Sequence, residues 1–281
     1  MKFNLLKTVI IFFSVIFTEV VHAQDPRSFE IPRSEIHEVK STILGRTYDV
    51  FIQLPRGYHE NIQQYYPVIY SNDGPYPFQI AAGVMRLAAP DKAILVGISF
   101  AKNENGMSSR VRDLTPVEDK SWVKYQTGGA KKYLQFLEAE VISLVEENYR
   151  TSSTRIFTGQ SLGGSFGTWV LFTKPELFSH YILTSPSLWF KDNMILGVEN
   201  NYAKENKDLA AKVYFAVGEL ETLKKGMRND MVQDLNNFTD QLSSRNYESF
   251  EMKSEVIDGT THETTYPIGF IKGLLWFLDD L

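Results

Sequence analysis

Cysteine is missing from all 281 residues. Its absence excludes a disulfide framework, thiolate metal sites and a lipoprotein-type anchor. Histidine is scarce: five occur, and His37, His59, His180 and His262 show no His-x-x-x-His or similar ligand spacing. A metal or other cofactor is therefore not expected. There is also no excess of positive charge, the formal net charge being −5. Removing residues 1–23 takes away Lys2, Lys7 and Glu19 and makes it −6, so nucleic acid and anionic membrane surfaces are poor partners. No repeat, low-complexity tract or Pro/Gly/Ser linker interrupts the chain, which argues for a single domain over 24–281. A chain of that length buries enough surface to be stable without covalent staples.

What is present begins with an export signal. Lys2 and Lys7 precede an apolar run from Val9 to Phe17 broken only by Ser14, and Val21-His22-Ala23 puts small side chains where a signal peptidase reads. The run is about half of the roughly 20 apolar residues that a bilayer span requires. Residues 1–23 thus read as a signal peptide cleaved after Ala23. The mature chain is expected to be periplasmic or secreted, with no membrane insertion.

Downstream, the chain alternates between two periodicities. Ile36–Leu44 and Thr47–Leu54 read as a hairpin about Gly45-Arg46, although Phe51 breaks the alternation of the second strand. Pro67–Tyr70 and Ala93–Phe100 are short apolar runs of the kind found in strands covered on both faces. Lys131–Tyr149 carries Leu134, Leu137, Val141 and Val145 at helical spacing. Strands follow at Thr154–Thr158, His180–Thr184, Lys212–Val217 and Tyr247–Ile257. Helices are expected at Leu162–Phe172, on the stripe Met227, Met231, Leu235, Phe238 and Leu242, and at Ile268–Leu278. Ala101–Tyr125 shows no periodicity and is expected to be a long loop. Such alternation predicts an α/β fold with about eight strands, mostly parallel, helices on both faces and the first hairpin at an antiparallel edge.

One motif carries chemistry. Gly159-Gln160-Ser161-Leu162-Gly163 is a Gly-x-Ser-x-Gly that follows a predicted strand and opens a predicted helix, the context a nucleophile elbow needs. A serine on so sharp a turn requires small neighbours two residues away on either side, and the turn leaves the Leu162 N–H free to donate to an oxyanion. An alcohol needs a base. In this arrangement the chain order is serine, acid, histidine, which leaves His180 and His262. His180 opens a strand and reads as structural. His262 lies in the polar segment Asp258–Thr264 between the last strand and the last helix, where a loop can swing an imidazole over the serine. The acid is expected after the strand Lys212–Val217. Glu221 is preferred because it lies just past the turn, with Glu219 as the alternative and Asp258 third. A second oxyanion donor is sought in Asn72-Asp73-Gly74-Pro75-Tyr76, where Pro75 has no N–H. Gly74 or Tyr76 could serve, and Gly74 is named.

These residues, with Tyr66-Pro67-Val68-Ile69-Tyr70, Asp73-Gly74, Arg112-Asp113-Leu114-Thr115-Pro116, Glu146–Arg150 and Ser185-Pro186-Ser187-Leu188-Trp189, resemble the esterase D-like branch of the α/β hydrolases. The resemblance spans nearly the whole mature chain and comes nearest to the ferric-siderophore (trilactone) esterases. It implies an α/β-hydrolase fold, Ser161 as nucleophile, His262 as base, a carboxylate at Glu221 or Glu219, and Arg112 and Trp189 near the substrate mouth. Gln160 stands where that branch usually carries histidine. The activity implied is hydrolysis of a small-molecule carboxylic ester through an acyl-serine. A basic pocket around Arg110 and Arg112 would suit an anionic siderophore, and an aromatic cleft around Trp189 and Tyr76 an acylated sugar. An acyltransferase using the same site and a catalytically idle binding protein are the alternatives.

Overall fold

The protein is described here by a computed structural model covering residues 28–281, so the expected signal at 1–23 lies outside the described residues. Residues Ile31–Leu281 make one unit. Eight strands form one sheet: β1 (Ser34–Ser41), β2 (Arg46–Gln53), β3 (Tyr66–Ser71), β4 (Ile94–Ile98), β5 (Thr151–Gln160), β6 (His180–Thr184), β7 (Ala211–Gly218) and β8 (Phe250–Ile257). Their order is β1-β2-β4-β3-β5-β6-β7-β8. From β4 to β8 every pairing is parallel, while β1 and β2 add an antiparallel hairpin edge. β3 and β4 are buried along their whole length, as expected of parallel strands covered on both faces. Phe51 breaks the alternation of β2 because its face is covered too: its ring lies 5.5 Å from that of Phe78.

Among the described residues eight α-helices cover the sheet: α1 (Pro75–Ala88), α2 (Gly106–Leu114), α3 (Ala130–Phe136), α4 (Ser143–Asn148), α5 (Leu162–Thr173), α6 (Phe190–Glu205), α7 (Met231–Ser243) and α8 (His262–Trp276). On one face Phe78, Ala81 and Met85 of α1 pack with Tyr266, Phe270 and Leu274 of α8. The opposite face carries the larger apolar cluster, including Val111, Tyr133, Phe136, Phe166, Ile195 and Phe238. The result is an α/β-hydrolase fold, and among the described residues no helix is long and apolar enough to cross a membrane.

Five elements differ from expectation. α1 has no counterpart in the sequence reading, although its buried face is the apolar Pro77, Phe78, Ala81, Ala82 and Met85. The segment 101–125 is not a continuous loop, because it contains α2. That helix is capped by the Asn105 side chain, which accepts from the Met107 and Ser108 amides at 3.0 and 3.3 Å. Its buried face includes Ser109, Arg112 and Asp113, so no apolar stripe marks it. The helix expected over 131–149 is interrupted by a π-helical turn at Leu137–Ile142 between α3 and α4. α6 has no counterpart in the sequence reading. Its buried face includes Glu199, paired with Arg245 at 2.7 Å, and it opens through three left-handed residues, Lys191, Asp192 and Asn193. Finally, α8 starts at His262 rather than near 268. A capping box between Thr261 and Thr264 draws the helix back by about a turn and a half.

Candidate active site

β5 runs directly into α5, and Ser161 occupies the junction at φ 57°, ψ −121°. Such backbone is costly for a non-glycine residue and persists only where its surroundings enforce it. Here Ser161 N–H donates to the Thr184 carbonyl at 3.0 Å, and Ser187 N–H donates to the Ser161 carbonyl at 3.1 Å. The tightness of the turn explains its glycines. A Cβ on Gly159 would lie 2.4 Å from the Gly163 carbonyl oxygen, and one on Gly163 would lie 2.5 Å from Asn72 Oδ1. Leu162 N–H heads α5, where no intrahelical acceptor exists for it.

His262 stands in the first turn of α8, fixed at both ends of the residue. Its ring Nδ1 meets Glu221 Oε2 at 2.6 Å, and its carbonyl accepts from the side-chain amide of Gln160, the residue before the serine. Glu221 is fully buried. Its other oxygen accepts from Ser185 Oγ at 2.6 Å, the Gly218 amide at 2.8 Å and Thr265 Oγ1 at 3.0 Å. Burial pushes the Glu221 carboxyl up, but hydrogen bonds from His262, Ser185 and Gly218 outweigh it and hold the group below its ordinary value. It is therefore an ionised acceptor for an Nδ1–H tautomer, which leaves Nε2 as the imidazole's basic nitrogen. Among the described residues no hydrogen bond joins the Ser161 hydroxyl to His262; its partner is Ser187 Oγ, at 3.3 Å.

The other sequence candidates are placed as follows. The Glu219 carboxylate accepts from the Gly259 amide at 2.9 Å and has no bond to His262. Gly74, named as oxyanion donor, is corrected: its N–H is spent on the Ile98 carbonyl at 2.9 Å. Tyr76 lies in the first turn of α1 with its side chain exposed, and its N–H there has no intrahelical acceptor. Arg112, expected at the substrate mouth, is corrected as well. It is buried, with Nε and Nη2 on the two Asp113 oxygens at 2.8 and 3.0 Å and Nη1 on Glu104. Burial works against its charge, but the bonds to Asp113 and Glu104 prevail and hold its pKa above the ordinary arginine value. Arg110 is likewise neutralised by Asp73, through Nε to Oδ1 at 2.6 Å and a second bond from Nη2. The basic pocket expected around these two arginines is thus taken up by internal ion pairs. Trp189 is half-buried and lies parallel to Trp122, ring centroids 6.2 Å apart and planes at 8°. Trp122 lies in the segment read as featureless loop, so only its residue type could have singled it out. Ser185 and Ser187 were visible in the sequence as parts of a family motif but carried no individual role.

The site therefore gathers the ends of four successive strands at the carboxyl edge of the sheet: Ser161 after β5, Ser185 and Ser187 after β6, Glu221 after β7 and His262 after β8. A hydroxyl on a strained turn, an imidazole held by a buried carboxylate and a free helix N-terminal amide can carry out acyl transfer.

A family profile described as "Putative esterase" matches residues 41–277. The ferri-bacillibactin esterase BesA of Bacillus subtilis is 30% identical over 239 residues, covering 78% of this chain and 81% of that protein. Among solved structures, the BES protein from Bacillus cereus superimposes with a TM-score of 0.78 at 26% identity, covering 90% of this chain and 98% of that one. An IroE-like serine hydrolase from Shewanella oneidensis gives 0.77 at 26% identity, covering 88% and 80%.

Proposed function

We propose that this chain, which belongs to the "Putative esterase" family and is a carboxylic ester hydrolase, cleaves a siderophore ester through an acyl intermediate on Ser161. The observation that carries the reading is the short contact of buried Glu221 with His262 Nδ1, on a residue whose carbonyl is tied to the neighbour of Ser161. His262 Nε2 takes the Ser161 proton as Oγ attacks the ester carbonyl, and the imidazolium formed is stabilised by Glu221. Leu162 N–H donates to the oxyanion. With Gly74 committed to Ile98, the Tyr76 N–H is the second donor. His262 then protonates the leaving alcohol, and water releases the acyl group by the same route in reverse.

The substrate class rests on the similarity to a ferri-bacillibactin esterase over most of both chains. The Trp122–Trp189 pair adds an aromatic wall that suits an aromatic siderophore acyl group as well as an acylated sugar, so the substrate class is carried by the similarity alone. Residues 1–23 read as an export signal, so the enzyme would act outside the cytoplasm with a chain beginning at Gln24.

Hydrolysis of p-nitrophenyl acetate and of a ferric trilactone siderophore by the mature protein tests the proposal. Ser161→Ala and His262→Ala should each lower turnover by at least about a thousandfold without loss of fold. Retained turnover in Ser161→Ala would overturn the catalytic assignment. Activity on the p-nitrophenyl ester with none on trilactones would overturn the substrate class.

A further inference from the structure

The tripeptide Ser185-Pro186-Ser187, at the end of β6, bridges the two ends of the site. Ser185, at φ 42° and fully buried, donates its hydroxyl to Glu221 and its N–H to the Ala216 carbonyl at 2.7 Å. Ser187, 2% exposed, grips the nucleophile twice: its N–H holds the Ser161 carbonyl and its Oγ lies 3.3 Å from Ser161 Oγ. The oxygen separation is longer than an optimal hydroxyl pair, as contacts of resting catalytic groups often are before substrate tightens them. No other side chain hydrogen-bonds the Ser161 hydroxyl among the described residues, and a hydroxyl as buried as that of Ser187 is seldom placed without a partner.

We propose that Ser187 is a catalytic residue, its O–H donating to Ser161 Oγ when that oxygen becomes the leaving group of the acyl-enzyme. The inference rests on Ser161 being the nucleophile. With Ser187 as the donor of that pair, Oγ accepts from it and the Ser161 proton is left for His262 Nε2 to take once substrate is bound. Acylation moves that proton to His262 and forms the Oγ–carbonyl bond, and Ser187 keeps its own proton. In the acyl-enzyme Oγ is an ester oxygen, a poor acceptor. When water attacks, passing a proton to His262, the carbonyl carbon–Oγ bond breaks. The electron pair returns to Oγ, which recovers its proton from His262. Negative charge grows on Oγ as that bond breaks, and the Ser187 hydrogen bond strengthens with it.

The hydrogen bond therefore stabilises the deacylation transition state relative to an acyl-enzyme in which it is weak. In acylation the starting state already makes the bond, so less is gained there. The asymmetry separates a donor to the leaving oxygen from a residue that merely supports the fold.

The test uses p-nitrophenyl acetate with the mature protein and Ser187→Ala, Ser187→Thr and Ser161→Ala. With so activated an ester, kcat reports deacylation and kcat/KM reports acylation. In Ser187→Ala we expect a burst of one p-nitrophenol per enzyme and a slow steady state, with kcat down about tenfold to a hundredfold. KM should fall in parallel, leaving kcat/KM within about threefold. Ser187→Thr, which keeps the hydroxyl, should restore most of kcat. The inference is overturned if Ser187→Ala keeps the parent kcat, if kcat/KM falls with no burst, or if threonine rescues nothing while the fold is intact. A Ser161→Ala variant that still turns over would remove the nucleophile itself. An inactive Ser161→Ala beside a Ser187→Ala that behaves like the parent removes only the role of Ser187.

Discussion

Two glutamates two residues apart, Glu219 and Glu221, have opposite fates, and the difference is one of burial. Glu221 is fully buried beneath the histidine with four hydrogen-bond donors around it, whereas Glu219 serves the Gly259 amide in the loop after β8. Chain order and the position after the strand Lys212–Val217 put these two first, with Asp258 third. The preference for Glu221 came from reach past the turn, and the environment that makes it an acceptor is built by Ser185 and Thr265, one before and one long after it in the chain. No local pattern could reveal that. The expected consequence is sharp. Glu221→Gln presents an N–H where His262 needs an acceptor, disfavours the Nδ1–H tautomer and should lower kcat by about a thousandfold or more. Glu219→Gln should stay within a few-fold of the parent. Steady-state hydrolysis of p-nitrophenyl acetate by both variants decides this, and equal losses would mean that the carboxylate at Glu221 does not orient the imidazole.

At the scale of elements, most of those with one apolar face were readable, α1 being the exception, and those whose buried face holds ion pairs were not. β6 and α5 match their apolar runs almost residue for residue. α2 and α6 were invisible because each hides an ion pair where an apolar stripe would stand, Arg112–Asp113 in one and Glu199–Arg245 in the other. In α2 the pair belongs to a larger knot: Asp113 Oδ2 also accepts from Tyr48 Oη at 2.8 Å and Ser109 Oγ at 3.0 Å, and Glu104 bridges Arg112 to Arg46. The knot joins α2 to β2, so Arg112 acts on stability rather than on substrate. Removing one member of such a pair leaves a buried charge without its partner. Arg112→Ala should therefore cost about 3 kcal/mol in urea unfolding while KM for a p-nitrophenyl ester stays within about twofold. A raised KM at unchanged stability would return Arg112 to the substrate mouth.

The whole molecule separates chemistry from scaffold along the strand axis. Every parallel strand from β5 to β8 delivers a residue of the proposed site at its carboxyl end, the edge where open α/β sheets bind ligands. That much followed from strand–helix alternation and chain order. The alternation also put His180 at the opening of β6, on the amino edge, but could not convey what surrounds it there. Its Nδ1 meets Ser179 Oγ at 2.8 Å, its ring lies 5.0 Å from that of Phe277, and its Nε2 lies 3.5 Å from Asp280, which is held by Lys212 at 2.8 Å. Lys212 in turn faces Glu251 at 3.7 Å. Burial pushes the imidazole below its ordinary value of 6.5, outweighing the upward pull of Asp280. A lowered histidine binds its proton less readily in the folded chain than in the unfolded one. Folding stability from this group is therefore complete above pH 6.5 and is lost as pH falls from there through the folded value. Each proton taken up on unfolding contributes at most about 1.4 kcal/mol per pH unit. Urea midpoints measured from pH 8 to pH 5 should accordingly fall in the wild type below 6.5 and flatten over that interval in His180→Phe. Ester hydrolysis at pH 8 should be retained in the variant, because His180 lies at the edge of the sheet away from Ser161. An identical slope in the two proteins would show that His180 takes up its proton equally well folded and unfolded, and would place the acid sensitivity of the fold elsewhere.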